Sequence, residues 1–398
     1  MKNLTKKIFT LVTCLLLVFS FCTSTYAYTE NSDITKGLYS THYIFMDADS
    51  GQVLSQKDAD EQISVASLTK MMTVLLAIEN SSSLNDRITI TDDMLDGLYE
   101  EEASVAGYTV GDTPTILDLC YATALPSAAD AANALAIHVA GSYEAFYAMM
   151  NAKASSIGMN NSVFQSAHGL DRDGQHSTVR DMATLLRYGL QNATFKEIFS
   201  AHEYTTSPTI NFPSGIQLEH TIWSSADVNG YQINGLLGGK TGYTGDAGRC
   251  LAYWANINDM NIIGVTQGAP SIPGFPSSNI KDAETALINL SAWHPKAVLT
   301  TSQAITNITY KSFMHTSNIA IKIDKDITLD LPDDVEVTIT NDLAKSYEAK
   351  LYDQNIQANI SFLVNDTQIY NRTITITLPK ESNFFGRIIL HLKNFLKG

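Results

Sequence analysis

Ser64-Val-Ala-Ser-Leu-Thr-Lys-Met-Met-Thr-Val-Leu-Leu-Ala-Ile78 is apolar on nearly every side and carries a single lysine. A surface helix shows one apolar stripe, whereas a helix apolar all round is buried. The stretch therefore predicts a helix packed inside a domain, with Ser67 and Lys70 three positions apart on one face of its first turns. Unpaired backbone N–H groups and the positive helix end lie at the same place. Burying an ammonium is costly, and loss of its proton would leave Lys70 as an amine able to take the proton of the Ser67 hydroxyl. Such a pair is a nucleophile with its base. A lysine snorkelling out of the helix start accounts for the same spacing.

Outward from this helix, Tyr43-Ile-Phe-Met46 and Val53-Leu54 flank Asp49-Ser-Gly51, and the runs 249–257 and 261–268 flank Asn258-Asp259. Both patterns read as β-hairpins. Hairpins on either side of long Ala-rich helical stretches imply an α/β domain, an antiparallel sheet with helices packed on it and its first and last strands as neighbours. From about Pro295 to Pro379 the composition turns to Thr, Ile and Val alternating with polar residues, as in Ile319-Ala-Ile-Lys-Ile323, Val335-Glu-Val-Thr-Ile339 and Thr373-Ile-Thr-Ile-Thr-Leu378. Period-two alternation with turns at Leu331-Pro-Asp-Asp334 and Asn365-Asp366 reads as a small all-β domain over 295–379, following a larger domain over 28–294.

The 398 residues, 44% apolar and 17% charged, suffice for two or three domains with real cores and exclude a disordered chain. A net charge of −15 repels nucleic-acid phosphate, so no nucleic-acid partner is expected. Four cysteines, two of them within the first 22 residues, build neither a disulfide scaffold nor a Cys-based zinc module. Cys120 and Cys250 either pair or remain buried thiols. Gly239-Lys-Thr fails as a phosphate loop because position 234, where a glycine is required, is Asn. His168, Asp171 and His176 lack metal-ligand spacing, so no metal is expected.

The ends carry two membrane signals. Lys2, Lys6 and Lys7 precede an apolar run from Ile8 to Phe21 and small residues at Thr25-Tyr26-Ala27, the pattern of an export signal over 1–27. Within 380–398, Phe384, Phe385, Ile388, Ile389, Leu392, Phe395 and Leu396 recur at three- and four-residue steps among Arg387, Lys393 and Lys397. That pattern predicts an amphipathic helix at a lipid surface, with docking on its own domain as the alternative.

Two further segments bear on Ser67 and Lys70. Ala124-Leu-Pro-Ser-Ala-Ala-Asp-Ala-Ala-Asn133 puts Ser127 at a Pro-Ser helix start, and Leu237-Gly-Gly-Lys-Thr-Gly-Tyr243 puts Lys240 on a glycine-flanked strand. The order S-x-x-K, Ser, K-T-G resembles the serine penicillin-recognising enzymes. With Ala167-His-Gly-Leu-Asp171, Ser177-Thr-Val-Arg-Asp181 and Gly239-Lys-Thr-Gly-Tyr-Thr244, it looks like the low-molecular-mass penicillin-binding proteins, the serine-type D-alanyl-D-alanine carboxypeptidases.

The resemblance implies a penicillin-binding-protein or serine β-lactamase-like domain, no cofactor, and an exported enzyme at the outer face of the cytoplasmic membrane or in the cell wall. Its implied partners are the peptidoglycan stem peptide and β-lactam antibiotics. Ser67 would attack the carbonyl between two D-alanines, Lys70 would take its proton, and Ser127 would pass a proton to the leaving amine. The N–H groups of Ser67 and Tyr243 would hold the oxyanion. Lys240 would attract the terminal carboxylate and help keep Lys70 neutral, Thr241 would offer it a hydroxyl, and Gly242 would let the peptide approach the strand edge.

The second motif departs from the usual Ser-x-Asn: Ser127-Ala128-Ala129 is followed by Asp130, with Asp130 or a water expected to stand in for the carboxamide. The arginine that some relatives use after the K-T-G strand has no match over 277–286, where Lys281 is the nearest cation. The departure at Ala129 leaves an inactive or weak penicillin-binding module as one alternative. A β-lactamase-like hydrolase is the other, though such enzymes lack a β-rich appendage.

Overall fold

Strand β1 (His42–Asp47) sends Ile44 and Met46 into one hydrophobic cluster and Tyr43 and Phe45 into another, as the two-residue period of a strand requires. Such a strand lies at the centre of a sheet covered on both faces. This computed structural model describes residues 33–273, 277–313, 315–333, 335–383 and 386–390; the predicted export segment falls outside them.

After β2 (Val53–Lys57) come seven helices: α1 (Lys70–Asn80), α2 (Asp92–Leu95), α3 (Ile116–Ala124), α4 (Ala129–Ala140), α5 (Tyr143–Ser156), α6 (Val179–Gly189) and α7 (Ala193–Ser200). A short ribbon, β3 (Glu203–Thr205) with β4 (Gln217–Glu219), leads to α8 (Thr221–Asn229). The chain then returns to the sheet as β5 (Leu236–Thr244), β6 (Gly248–Ile257) and β7 (Met260–Ala269), and α9 (Ser278–Leu290) closes the far face. The sheet order is β2-β1-β7-β6-β5, antiparallel throughout, so the first and last strands are neighbours as expected. Both predicted hairpins form. The second turns on Asn258 and Asp259, both at positive φ, as a two-residue primed turn requires.

Strand β6 repeats the division seen in β1. Cys250, Ala252 and Trp254 face the cluster that contains α1, α3 and α4, while Leu251, Tyr253 and Ala255 face α8 and α9. Helix α1 is buried over residues 70 to 77, including its lysine, which decides against snorkelling. Removing a leucine from such a position, Leu75 for example, costs about 3 kcal/mol in transfer and cavity terms. Strand β5 is the sheet edge nearest the Ser67 turn, and this edge positions the site.

Beyond α9 the chain is all β. Strand β8 (Trp293–Leu299) begins with Trp293 in the core beneath α9 and ends with Leu299 in a separate cluster. It pairs with β11 (Ile327–Pro332). Leu331 and Pro332, expected in a turn, therefore end a strand instead, opposite His294 and Trp293. Strand β9 (Thr306–Lys311) lies between β10 (Thr316–Ile321) and β13 (Ser346–Glu348), while β12 (Thr338–Asn341) and β15 (Thr367–Leu378) flank β14 (Gln354–Val364). The Val335–Ile339 alternation contributes only its end to β12.

Gln52 joins the two regions: its amide donates to the Asp330 carbonyl at 2.9 Å and accepts from the Asp330 N–H at 2.9 Å. Burial and the neighbouring Asp47 charge raise the Asp330 carboxyl to about 7. Of the predicted terminal helix, residues 386–390 are described and helical, with Gly386 buried against Phe313 and Glu381. Among the described residues no helix is long and apolar enough to cross a membrane.

Candidate active site

The chain enters α1 through a 3-10 turn, Ala66–Thr69, that carries Ser67. The loop 167–169 braces this turn: Thr73 Oγ1 donates to the Ala167 carbonyl at 2.6 Å, and Gly169, at φ +83°, sits so close that a Cβ would fall 2.0 Å from the Ala66 oxygen. Only glycine fits there. Lys70 Nζ lies 3.0 Å from Ser67 Oγ and 2.6 Å from the His168 carbonyl, to which it donates. Burial draws the Lys70 ammonium from 10.5 down to about 7, against a weaker upward pull from the Asp130 charge. Near neutrality much of it is an amine whose lone pair can accept the serine proton.

Strand β5 crosses in front of this pair. A Cβ on Gly242 would lie 3.2 Å from the Ser67 nitrogen and 3.3 Å from the Val65 oxygen, so glycine is what allows the strand edge to reach the nucleophile. Ser67, Lys70, Ser127, Thr241, Gly242 and Tyr243 all line one cleft of about 290 Å³. Ser127 stands in the left-handed region at φ +67°, its Oγ buried and without a hydrogen-bond partner among the described residues. A non-glycine residue held there costs of order 1–3 kcal/mol and persists only where its surroundings enforce it. Thr241 Oγ1 hydrogen-bonds Thr221 Oγ1 at 2.7 Å.

Lys240 differs from expectation. It does not line the cleft: it is wholly buried behind it, donating to the Thr241 carbonyl at 2.9 Å. Burial, then the Lys70 charge, push it well below its ordinary value. Its neighbour His220 is held near 3 by burial and by Lys240; with Nδ1 accepting the Ile222 N–H, Nε2 donates to the Gly239 carbonyl. What keeps Lys70 neutral is its own burial.

Asp130 does not replace the missing carboxamide. Its carboxylate accepts N–H groups of Ala106 and Gly107 at 3.0 Å, Tyr108 at 3.2 Å and Ala131 at 2.9 Å, pinning the loop before α3, and it lines a neighbouring cavity rather than the cleft. Ala129 itself lines the cleft. Lys281, the nearest cation over 277–286, is absent from the cleft wall and pairs with Glu284.

Sequence reasoning missed Thr221 and Arg249, both in the cleft wall. Arg249 was findable, since a tight β5–β6 hairpin sets it directly opposite Tyr243. His168 is buried, its ring held near 3 by burial and the Lys70 charge, while the Asp171 carboxylate accepts from Ser64 and Thr244. These two residues brace loops. Cys120 and Cys250 are separate buried thiols, Cys250 pushed up to about 12 by burial.

A family model described as D-alanyl-D-alanine carboxypeptidase matches residues 29–271. The chain is 35% identical over 235 residues to the D-alanyl-D-alanine carboxypeptidase DacC of Escherichia coli, a match covering 57% of this chain and 56% of DacC. It is 28% identical over 372 residues to DacA of the same organism, 88% of this chain and 86% of DacA. Among solved structures, the Streptomyces K15 DD-transpeptidase aligns with a TM-score of 0.56 at 28% identity, covering 63% of this chain and 98% of that one. Penicillin binding protein 5 of Haemophilus influenzae aligns with a TM-score of 0.65 at 24% identity, covering 86% and 97%, a likeness of fold.

Proposed function

The chain belongs to the D-alanyl-D-alanine carboxypeptidase family, and from that premise we propose that it is a serine D,D-carboxypeptidase removing the terminal D-alanine from peptidoglycan stem pentapeptides. The observation that carries this reading is a wholly buried Lys70, drawn down to about 7, with its nitrogen 3.0 Å from Ser67 Oγ. The substrate pairs with the free edge of β5, which places its scissile carbonyl over Ser67. Ser67 Oγ bonds to that carbon as its proton passes to Lys70 Nζ, and the N–H groups of Ser67 and Tyr243 hold the oxyanion. Collapse breaks the C–N bond. The D-alanine leaves after its nitrogen takes a proton through Ser127, whose hydroxyl is unengaged. Water, deprotonated by the same amine, then hydrolyses the ester and restores Ser67.

The chemistry needs only these side chains, and the strained ring of a β-lactam enters as a substrate mimic that acylates Ser67. Mass spectrometry after penicillin treatment should find one adduct, on Ser67, absent from Ser67→Ala; an adduct elsewhere, or none, overturns the mechanism. Ala129 in the cleft wall favours slow turnover, because no carboxamide orients the substrate backbone. Measured release of D-alanine from a pentapeptide separates a slow enzyme from an inactive binder. The enzyme works outside the cytoplasmic membrane, held there by the segment 383–398. Deleting that segment should release the protein into the soluble fraction, and retention on membranes would exclude the anchor.

A further inference from the structure

We propose that His42, Asp58 and Glu61 form a binding site for a divalent metal ion of the zinc class, a structural clamp between the sheet and the segment that leads to Ser67. The three residues lie outside the cleft, and the proposal is independent of the carboxypeptidase reading.

The strand register brings the ligands together. Tyr43 on β1 pairs with Lys57 at the end of β2, so the next positions, His42 and Asp58, face one another where the ladder ends. Asp58 then takes the left-handed conformation at φ +48°, and the Glu61 N–H donates to its carbonyl at 3.1 Å, which turns the chain back and sets Glu61 beside the same imidazole. One ligand atom from each side chain, an imidazole nitrogen and two carboxylate oxygens, lies within 4.8 Å of both others. His42 Nε2 and Glu61 Oε2 are 3.1 Å apart. Ligand atoms on a tetrahedral zinc stand about 3.3 Å from one another, so this pair already spans one edge of the site, and water can take the fourth corner on the exposed side.

The chemistry of the set selects a cation. His42 Nδ1 lies 2.8 Å from the Thr41 hydroxyl, and with Nδ1–H donating there, Nε2 presents its lone pair toward Glu61. Thr41 is itself held to the sheet: its N–H donates to the Gln267 carbonyl at 3.1 Å, and a Cβ on Gly268 would lie 2.2 Å from its hydroxyl. A metal-binding histidine is oriented by an outer partner of this kind. A proton on Nε2 would serve the contact with Glu61 alone and leave Asp58 unpaired, because among the described residues no lysine or arginine pairs with either carboxylate and Arg180 is taken by Asp60. A divalent ion engages all three groups and offsets both charges. Mixed imidazole and carboxylate donors suit zinc, whereas calcium and magnesium favour oxygen alone. From Glu61 the chain reaches Ser67 through Ile63, whose backbone pairs with Ser177, so the clamp sits at the root of the nucleophile turn.

Isothermal titration of the chelator-treated protein with zinc chloride should show one ion bound per chain at this site, and saturating zinc should raise Tm. His42→Gln and Glu61→Gln each remove a ligand and should weaken binding by about 10-fold or more, with the Tm rise lost. Thr41→Val removes only the outer partner and should weaken it by about 10- to 100-fold. No bound zinc, or an affinity within about twofold of wild type in either ligand variant, overturns the proposal. Calcium bound as tightly as zinc and retained by His42→Gln would assign the ion to the carboxylates alone, and that also overturns it. If His42→Gln does not melt cooperatively, Glu61→Gln decides, since its side chain is 59% exposed: weakened zinc binding supports the clamp, and unchanged binding overturns it.

Discussion

Lowering the pH through the titration of Lys70 probes the centre of the mechanism. This ammonium is wholly buried and drawn from 10.5 to about 7. Half of it is then neutral at pH 7, about one part in ten at pH 6 and about one in a hundred at pH 5. Only the neutral amine accepts the Ser67 proton, so the second-order rate constant for acylation by a chromogenic β-lactam should fall about tenfold per pH unit and sit about 100-fold below its plateau at pH 5.

The same shift has a sign for stability. A lysine whose folded value lies below its unfolded value binds fewer protons when folded, so its contribution improves as pH rises from about 7 to about 10 and is lost as pH falls through 7. The full span is about 5 kcal/mol. Lys70→Met should therefore stabilise the protein at pH 6 far more than at pH 10. Asp130 raises the Lys70 value through its charge, so Asp130→Asn should move the kinetic limb to lower pH. Lys70→Arg, always charged, should lose about 100- to 10,000-fold of the acylation rate and show no limb. Acylation that is flat from pH 5 to 9 in the wild type, or a limb near pH 10, refutes the neutral-base mechanism.

Gly242→Ala places a Cβ 3.2 Å from the Ser67 nitrogen and should cut acylation by tenfold or more at nearly unchanged Tm, read by β-lactam kinetics beside a thermal melt. Asp130→Ala leaves three loop N–H groups without their acceptor and should destabilise the fold by about 2–4 kcal/mol in urea unfolding. The Asp330 carboxyl is raised to about 7, so its contribution is present below about pH 4 and lost as pH rises through 7. Asp330→Asn should accordingly raise Tm at pH 8 and leave it nearly unchanged at about pH 3.5, and equal shifts at both would remove the carboxyl pair from the interface energetics.

The elements of the fold were legible because local signals agreed with one another. Residues 64–78 are apolar around the whole helix, the Asn258-Asp259 turn supplies the two positive φ angles a tight hairpin needs, and β1 alternates between two apolar faces. The site was legible in position but not in environment. Ser67, Lys70, Ser127, Thr241, Gly242 and Tyr243 share a cleft because each is tied to the start of a helix or the edge of a strand. Whether a lysine within a motif meets solvent or core depends on segments far away in sequence. Spacing therefore said nothing of the burial of Lys240, nor of the loop 24 residues upstream that claims Asp130.

The two departures have separate physical causes: backbone N–H groups of the loop 106–108 claim the Asp130 carboxylate, and the core encloses Lys240. A base must shed its charge to work, and a carboxylate anchor must keep it. The desolvation that draws Lys70 down to about 7 also pushes Lys240, behind the cleft, well below its ordinary value. The hairpin register that places Lys240 on β5 opposite Ala252 also sets Arg249 across from Tyr243, so one strand pairing puts the buried amine behind the cleft and the half-buried guanidinium in its wall.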